Sequence, residues 1–405
     1  MINKVKGAVP SILILVFMVS VGPFGDTEYT PSLPRIAHSL GVHYSLVQLT
    51  MTSYLLGYAI SQLFYGPVSD RFGRKPIMLS GAMVFVIGSL VCLFSFSIWQ
   101  LIAGRFVQAI GSCAGGVIAS ACIRDAYPES ERGHVFAKVY GAFAIAPALG
   151  PIVGSFVDAR FGWHANFLVL VILSLLLFIS LIFFLPETNH HKDKNALNPI
   201  LMLKHYGSLM LDPYYLPHLL IMGLAIGIVY DALIAAPNLV VDVLHMSSIA
   251  ILIIAVGVLI GFVIGAACCN FLTGRFKENN LVLAGIVLMC VGSGILGIFA
   301  LAGLMNKSLL ITVIPVMIVF AGIAFVIPLS TADALLPFEH VTGAASAMMG
   351  FFQMGIASLS TGILSIIHKN AIFDMPVMFA SQSVLALILF FIFFTLRPNK
   401  PRYTV

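Results

Sequence analysis

Two acidic side chains, Asp26 and Glu28, lie in the first of about twelve apolar segments that are long enough to cross a membrane. They stand just before a Pro-x-x-Pro break at Pro31 and Pro34. Because a carboxylate is expensive to keep in a lipid environment, an acid in this position is a functional residue by default. The pair predicts a site at which a proton and a substrate compete for a carboxylate.

Two further charges lie within apolar segments. Arg105 is near the middle of the fourth segment and requires a partner there. One hypothesis is that it stabilises the deprotonated acid of the first segment or organises a cavity through Gln108; the alternative is a structural arginine bonded to backbone carbonyls. Asp231 precedes Pro237 in the seventh segment. It is interpreted as a second proton or substrate site, or as a hydrogen-bonding group at a helix break.

The second apolar segment carries a polar helix face. Tyr54, Tyr58, Gln62 and Tyr65 recur at spacings of three and four residues, which places them on one side of a helix. Such a face suits either an aromatic-lined substrate cavity or an ordinary polar seam between helices. The residues predicted to line the cavity are Tyr29, Tyr54, Tyr58, Gln62 and Gln108.

The elements that must hold these residues are transmembrane helices. Sixty per cent of the chain is hydrophobic, 9% is charged and the mean hydropathy is +1.04, so lipid rather than water is its main solvent. The predicted fold is therefore an all-α integral membrane protein. Since membrane-length segments use most of the 405 residues, little chain remains for a soluble catalytic domain.

Composition and motifs disfavour several functional classes. The chain has no G-x-x-x-x-G-K-[ST] loop, so ATP is not the predicted energy source. No nucleophile–base pair or metal-ligand cluster supports an enzyme, and no metal or cofactor is predicted. The pI of about 8.9 does not indicate nucleic-acid binding, because the basic residues are scattered through short loops, where they report topology.

Charge and hydropathy also predict the organisation of the chain. Basic residues concentrate in the loops that are cytoplasmic if the N-terminus is inside, so both termini are predicted to be cytoplasmic. A hydrophilic stretch divides the chain into two pseudo-symmetric halves of six helices, as in a duplicated transporter. The predicted parts are an N-terminal bundle (1–185), a cytoplasmic linker (186–213), and a C-terminal bundle with a short tail (214–405).

The loop from Gly66 to Pro76 has the most specific pattern in the chain, Gly-Pro-Val-Ser-Asp-Arg-Phe-Gly-Arg-Lys-Pro. Its glycines permit a tight turn, Asp70 can lie near a helix N-terminus, and its basic side chains can bridge to neighbouring helices and latch one conformation. The loop resembles the cytoplasmic signature of the major facilitator superfamily. The predicted cytoplasmic gate comprises Gly66, Asp70, Arg71, Gly73, Arg74 and Arg124.

Further segments of the first half carry the same resemblance. Residues 101–111, which include Arg105 and Gln108, resemble the fourth-helix motif of this superfamily. The second half matches mainly by hydropathy. Three shorter segments look like those of the bicyclomycin-resistance type of drug:proton antiporter, namely 29–34, 54–57 and 123–128.

The fifth apolar segment contains a pattern similar to the antiporter motif of the superfamily. Gly150, Pro151 and Gly154 match it, whereas Ser155 stands where a second glycine is usual. Close helix packing at the glycines and a bend at the proline are expected. The match favours antiport, and the serine weakens that argument.

The first segment departs from the resembled family at one position. Thr27 stands where that family usually has an aspartate, and this chain has acids on either side of it. Asp26 and Glu28 are about 200° apart around a helix, so they cannot both face a cavity unless the helix unwinds before Pro31. Glu28 is slightly preferred as the proton carrier, and the choice between the two acids stays open.

The resemblance implies a monomeric transporter of twelve helices in the bacterial inner membrane. It would expel small amphiphilic molecules in exchange for protons by alternating access, with the proton gradient as its energy source and lipid, protons and substrate as its partners. One alternative is a dedicated exporter, or a proton symporter, of a single endogenous metabolite such as a siderophore. Another is a membrane scaffold or sensor, which the costly intramembrane charges disfavour.

Overall fold

The computed structural model describes residues 9–305, 307–367 and 370–395, and the chain in those ranges is almost entirely helical. No strand forms within them; Thr273 and Phe276 make one isolated bridge. The predicted all-α architecture is confirmed. Both termini are predicted to be cytoplasmic. They belong to residues 1–8 and 396–405, which lie outside the described ranges.

The described ranges contain α-helices of two kinds, long membrane-length rods and two short segments. In chain order they are α1 (Ile12–Thr27), α2 (Leu33–Leu40), α3 (Tyr44–Phe72), α4 (Arg74–Leu93), α5 (Ile98–Ala126), α6 (Glu129–Phe161), α7 (His164–Phe184), α8 (Pro199–Met210), α9 (Tyr215–Asn238), α10 (Ile251–Leu272), α11 (Glu278–Leu301), α12 (Leu309–Leu335), α13 (Thr342–Ile367) and α14 (Ala371–Phe390).

Eleven helical stretches of the described chain are long and apolar enough to cross a membrane, judged by length and composition. The helix α3 is not among them, although it has 29 residues. Its mean hydropathy is reduced by polar side chains along its whole length, from Gln48 through Tyr54 and Gln62 to Asp70. It occupies the second of the twelve predicted positions, and with it the order of helices is that of the predicted fold.

Two of the most apolar helices, α7 and α10, are the least buried of the membrane-length stretches, whereas the stretch that contains α12, as apolar as α10, is 61% buried. The most apolar part of α7 has a mean hydropathy of 3.2, and 33% of it is buried. The corresponding part of α10 has a mean hydropathy of 2.9, and 28% of it is buried. The stretch that contains α9 has a lower mean hydropathy, 2.3, yet 78% of its most apolar part is buried. This is the reverse of a water-soluble fold and is the arrangement expected when lipid is the solvent.

The first membrane segment breaks at its two prolines. Helix α1 ends at Thr27, a single 3-10 turn follows at Thr30–Ser32, and α2 starts at Leu33 with Pro34 in its first turn. Proline fits a first helical turn because the N–H it lacks would have no helical acceptor there. The break leaves the last carbonyls of α1 without helical partners, so other groups must satisfy them.

Two compact units divide the chain. The first contains residues 9–29 and 53–205, and the second contains residues 30–52 and the described residues from 206 onward. Hydrogen bonds attach 30–52 to the second unit: the Tyr44 hydroxyl donates to the Ile234 carbonyl at 2.6 Å, and the Thr52 and Thr361 hydroxyls are 2.8 Å apart. The boundaries predicted at 185 and 213 stay a prediction.

Helix α5 is the centre of the first unit because small residues let its neighbours approach. A Cβ added at Gly111 would lie 2.2 Å from the Phe85 amide nitrogen of α4, and one at Gly115 would lie 2.1 Å from the Met18 carbonyl oxygen of α1. These backbones touch only because no side chain separates them. Such contacts replace the hydrophobic driving force that lipid removes.

A stripe of glycines joins α10 to α12 in the second unit. Gly257, Gly261 and Gly265 recur every four residues and face Val313, Met317 and Ala321 in order. A Cβ at Gly261 would lie 2.3 Å from the Met317 carbonyl oxygen. The backbones of these two helices are therefore in van der Waals contact.

Replacing Gly261 by alanine tests this packing. We expect the free energy of unfolding in detergent to fall by about 1–3 kcal/mol, because backbone atoms must move to admit the methyl group. Gly294→Ala on α11 is the control, since nothing lies within 4 Å of a Cβ there. It should leave stability unchanged or raise it by up to about 1 kcal/mol. Equal stabilities for the two variants would contradict the packing described.

Candidate functional site

The guanidinium of Arg105 lies at the C-terminal end of α1. Its Nη1 donates to the Gly25 carbonyl at 3.0 Å and its Nη2 to the Asp26 carbonyl at 3.4 Å. These carbonyls belong to the last turn of α1, where the helix has no N–H groups left to satisfy them. A helix C-terminus also carries partial negative charge, which a cation stabilises.

Two tyrosines enclose the same guanidinium. Its central carbon lies 4.1 Å from the ring centroid of Tyr29 and 4.1 Å from that of Tyr54. Arg105, Tyr29 and Tyr54 are buried, so the cation–π contacts are desolvated and worth about 2 kcal/mol or more. Tyr29 and Tyr54, predicted to line a cavity, are packed inside the first unit.

A polar chain continues from Arg105 to α4. The Gln108 amide oxygen accepts from Arg105 Nη1, and its nitrogen donates to the Ser89 hydroxyl at 2.7 Å. Gln108 therefore holds Arg105 in place. These contacts are those of a structural arginine bonded to carbonyls, while the Arg105 charge also acts on the Glu28 carboxyl. Whether Arg105 also stabilises a deprotonated acid stays a prediction.

The two acids of the first segment have different surroundings. Asp26 acts electrostatically on Tyr54 and Tyr58 of α3. Glu28, which caps the end of α1, packs against α6. The separation around the helix that the sequence predicts thus places the acids beside different helices.

Glu28 is wholly buried, with 0% of its surface exposed. Neither of its carboxyl oxygens has a hydrogen-bond partner among the described residues. A charged carboxylate in this state is costly and a protonated one much less so. The proton-carrying role of Glu28 stays a prediction.

The residues of the predicted antiporter motif form the surface of α6 against which Glu28 packs. A Cβ at Gly154 would lie 1.7 Å from the Glu28 carbonyl oxygen, and one at Gly150 would lie 2.2 Å from the Thr27 hydroxyl. Pro151 has no N–H, so the Pro147 carbonyl lacks its helical donor. The Thr27 hydroxyl donates to that carbonyl at 3.0 Å. The motif thus fixes the end of α1 against α6.

The remaining polar residues of α3 lie along its packed face. The Tyr54 hydroxyl donates to the Ser112 hydroxyl at 2.7 Å, and the rings of Tyr54 and Tyr58 are 6.4 Å apart. Tyr58 and Gln62 are half-buried. For Tyr54 the contact is the polar seam between helices that the sequence left as an alternative.

Arg74 organises the predicted cytoplasmic gate. Its guanidinium lies 2.6 Å from the Asp70 carboxylate and 2.9 Å from that of Asp125. Its backbone N–H donates to Glu187 at 2.9 Å, as an acidic cap at the start of α4. Gly73 has φ +113°, and a Cβ there would lie 2.5 Å from the Glu187 carboxylate, so only glycine fits.

The other members of the predicted gate surround this cluster. Arg71 is exposed and lies over the Phe72 ring. Arg124 is half-buried and acts electrostatically on Asp70 and Asp125. A Cβ added at Gly66 would have no atom within 4 Å. Glu187 was missed by the sequence argument, although an acid just after an apolar segment was a usable signal.

In the second unit, Asp231 collects hydrogen bonds from two helices. Ser360 of α13 and Gln382 of α14 each donate to its Oδ2 at 2.6 Å. Its Oδ1 has no hydrogen-bond partner among the residues described. Asp374, also buried, acts on it as a nearby negative charge. The bonds go to α13 and α14, whereas the structural alternative in the sequence analysis was a hydrogen bond at the break near Pro237; the proton or substrate role of Asp231 stays a prediction.

Two more buried polar sites were missed. Asp158, near the end of α6, is 0% exposed. His218 and Asp333 form a buried pair in the second unit, with Nε2 and Oδ2 3.8 Å apart. Burial raises the pKa of the adjacent Tyr214 to about 12, and the charge of Asp333 acts in the same direction. The signal for Asp158 was present, because it is an acid inside a membrane-length segment.

No set of three His, Cys, Asp or Glu side chains that could hold a metal ion converges within residues 9–305, 307–367 and 370–395. The chemistry of the described sites is that of carboxyl groups and a fixed guanidinium. The carboxyl groups can bind and release protons and, beside aromatic rings, can attract organic cations.

Comparisons with known proteins agree on the family. The sequence profile of the Major Facilitator Superfamily matches residues 12–361. The chain is 31% identical to multidrug resistance protein D of Escherichia coli over 359 residues, which are 87% of each chain. It is 27% identical to multidrug resistance protein MdtL of Klebsiella pneumoniae over 378 residues, which are 92% of each chain.

Solved structures show the same fold. The partially occluded inward-open xylose transporter XylE of Escherichia coli superposes with a TM-score of 0.75 at 15% identity, covering 97% of this chain and 98% of that one. A POT family transporter in complex with 5-aminolevulinic acid superposes with a TM-score of 0.77 at 13% identity, covering 96% of both.

Arg105→Lys tests the role of the guanidinium. Lysine keeps the charge but cannot reproduce the planar fork or the stacking between two rings. We expect the free energy of unfolding in detergent to fall by about 2 kcal/mol. Arg160→Lys, at an exposed position at the end of α6, is the control and should change nothing. A stable Arg105→Lys protein would show that charge alone suffices.

A double-mutant cycle tests the Asp231 network. Asp231→Asn and Ser360→Ala should each destabilise the protein, because each leaves a buried polar group without its partner. Since the two residues share one hydrogen bond, the double variant should differ from the sum of the single effects by about 0.5–3 kcal/mol. Additive effects on the free energy of unfolding would show that the two side chains do not interact.

Proposed function

Because the chain belongs to the major facilitator superfamily, a family of transporters, we propose that it expels small amphiphilic molecules across the bacterial inner membrane in exchange for protons. The mechanism is alternating access. The observation that carries the proposal is the state of Glu28: a wholly buried carboxyl group whose oxygens lack hydrogen-bond partners among the described residues, within the field of the Arg105 guanidinium.

Two opposing effects set the protonation of Glu28. Burial favours its neutral form, and the positive charge of Arg105 favours its charged form. A movement that changes the separation of these groups, or that admits water, shifts the balance between the two effects. Glu28 can therefore take up a proton in one conformation of the transporter and release it in the other.

Coupling requires that the proton and the substrate prefer different states of the protein. A ligand shifts a conformational equilibrium only by its differential affinity for the two states. In the cycle proposed here, deprotonated Glu28 favours binding of a cationic or neutral amphiphile from the cytoplasm or the inner leaflet. Protonation from the outside then weakens that binding and releases the substrate.

The chemistry of the substrate is inferred from the relatives and from the aromatic side chains. Two relatives are called multidrug resistance proteins, which supports a range of small amphiphilic substrates. Asp26, beside Tyr54 and Tyr58, is an acid near aromatic rings, a combination that attracts organic cations. Asp26 is also the alternative proton carrier.

Two other sites support the cycle. The Arg74 cluster, with Asp70, Asp125 and Glu187, joins the start of α4 to the ends of α3 and α5 and to the linker. We assign it the role of a cytoplasmic latch, because such a cluster has two discrete states, bonded and open. Asp231, which accepts hydrogen bonds from Ser360 and Gln382, is assigned the role of a second proton site.

Efflux from cells tests the proposal and selects the acid. Wild type, Glu28→Gln and Asp26→Asn are expressed in an efflux-deficient bacterium, and accumulation of ethidium and chloramphenicol is measured with and without a protonophore. We expect wild type to extrude at least one of them only while the proton gradient is intact. Glu28→Gln should abolish that extrusion, because the amide cannot exchange a proton, whereas Asp26→Asn should retain it in part.

The possible outcomes separate the candidate functions. Loss in Asp26→Asn alone would assign the proton to Asp26. Extrusion that persists with the protonophore would exclude proton coupling. No extrusion of either compound by a well-expressed wild-type protein would contradict multidrug efflux and favour a dedicated transporter of one metabolite. Asp193→Asn, in the exposed linker, serves as the matched control.

A further inference from the structure

Asp231 and Gln382 form a buried, directly bonded pair in the second unit. Asp231 of α9 has 0% of its surface exposed and Gln382 of α14 has 5%. The Gln382 amide nitrogen donates to Asp231 Oδ2 at 2.6 Å, and the Ser360 hydroxyl of α13 donates to the same oxygen at 2.6 Å. Three helices of the second unit therefore converge on one carboxyl group.

The orientation of the Gln382 amide is fixed by its surroundings. Its nitrogen lies 2.6 Å from Asp231 Oδ2 and 3.2 Å from the Met378 carbonyl oxygen, and both of these oxygens accept hydrogen bonds. An amide nitrogen has two N–H groups to donate, whereas an amide oxygen has none. The atom between the two acceptors must therefore be the nitrogen, and Gln382 Oε1 points away from them.

Gly227 makes room for that amide oxygen. It stands one turn before Asp231 on the same face of α9. A Cβ at Gly227 would lie 2.2 Å from Gln382 Oε1 and 3.4 Å from the Ser360 Cβ. The glycine thus lets the amide oxygen lie against α9, one turn from the Asp231 carboxyl group.

Two oxygens of this cluster have no hydrogen-bond donor. Asp231 Oδ1 and Gln382 Oε1 are buried and have no partner among the described residues. They belong to side chains that are joined by a hydrogen bond, so both unsatisfied oxygens are part of one cluster. Buried acceptors without a donor cost free energy, and a ligand that takes lone pairs from both would remove that cost.

The charge next to Asp231 is negative. Asp374 of α14 is buried and acts on Asp231 as a like charge. It is the only charged side chain, among the residues that the structure describes, whose charge acts on Asp231. Buried charges in proteins are paired with an opposite charge or bind a metal ion. An ionised Asp231 therefore requires a positive charge that these residues do not supply.

Other acidic, basic and phenolic groups near α9 do not meet this need. His218 is about 20 Å from Asp231 along the helix, and none of the described residues donates to Asp231 Oδ1. On α9 and on the described elements packed against it, these groups are Tyr215, His218 and Tyr230 of α9, Asp333 of α12, Asp242 beyond the end of α9, Tyr44 at the start of α3, and the exposed Arg35 and His38 of α2.

From this arrangement we propose that Asp231 and Gln382 bind a single monovalent cation, either an alkali metal ion such as Na⁺ or the ammonium group of an amine substrate, in competition with a proton. A water molecule would donate to both oxygens and leave the negative charge in place. A cation neutralises the charge and takes lone pairs from both oxygens. A divalent ion such as Ca²⁺ fits less well, because it takes about six to eight oxygens.

Competition at Oδ1 connects the cation to the transport cycle. When the O–H bond of the Asp231 carboxylic acid breaks, the proton leaves and the cation binds the carboxylate. When the cation leaves, a proton returns, and nothing is oxidised or reduced. This step rests on the proposed function, in which Asp231 is a second proton site. Cation binding is measured without transport, so the two proposals fail separately.

Binding of radioactive sodium and of radioactive methylammonium to the purified protein tests the site. Each ion is titrated into protein prepared in choline chloride at alkaline pH. We expect saturable binding of one ion per protein, weakened at least about tenfold by Gln382→Ala and abolished by Asp231→Asn. Asp193→Asn, in the exposed linker, is the control and should bind as wild type does.

The two ions separate the two sources of the cation. Sodium binding assigns the site to an alkali metal ion, and binding of methylammonium alone assigns it to the ammonium group of a substrate. Wild type that binds neither ion would overturn the proposal. Asp231→Asn that binds as tightly as wild type would also overturn it.

The dependence of binding on pH tests the competition. Because the proton must leave Oδ1 before the cation binds, affinity should fall as the pH is lowered, by up to about tenfold per pH unit. Binding that does not change with pH would overturn the proposal, since proton and cation would then occupy different groups.

Thermal unfolding keeps the test decisive if Asp231→Asn does not fold. A ligand that binds only the folded protein raises Tm as its concentration increases. Sodium or methylammonium chloride should raise the Tm of wild type relative to choline chloride, and Gln382→Ala should need at least about tenfold more salt for the same rise. Equal rises would overturn the proposal. If wild type moves no ethidium, the proposed efflux fails, and these measurements still decide whether Asp231 and Gln382 bind a cation.

Discussion

The structure of the first unit depends on the way in which a helix end is stabilised inside an apolar bundle. Helix α1 stops at Thr27, well before the first membrane segment is complete, and its last carbonyls have no helical donors. The guanidinium of Arg105 supplies donors to two of them and lies between two tyrosine rings. A planar cation with several donors is suited to this position, since it satisfies carbonyls at its edge and aromatic rings on its faces.

Fixing the end of α1 also fixes the direction of its acids. Thr27 donates to the carbonyl that Pro151 leaves without a helical donor, and Gly150 and Gly154 let α6 touch the backbone of Glu28. Glu28 is thereby held beside α6 and within the field of Arg105, while Asp26 lies near the tyrosines of α3. One set of packing contacts thus creates an acid that burial and a nearby cation influence in opposite directions.

The two units use opposite charges for a similar purpose. In the first, a buried cation donates to main-chain carbonyls, and in the second, the buried acid Asp231 accepts from Ser360 and Gln382. Around both, glycines bring helix backbones into contact, because lipid provides no hydrophobic force to join apolar helices. Polar groups therefore lie inside the bundles and apolar side chains outside.

The sequence by itself determined the membrane helices, the break at Pro31 and Pro34, the glycine-dependent turn at Gly73 and the family, because these follow from hydropathy, from proline and glycine stereochemistry and from local motifs. Only the tertiary structure decided that Arg105 bonds carbonyls of α1, that Glu28 rather than Asp26 lies on α6, and that Asp231 pairs with α13 and α14. These contacts join residues 79 to 151 positions apart. They depend on how each helix is rotated against its neighbours, and a chain whose helices are apolar on nearly every face carries little periodic signal for that rotation.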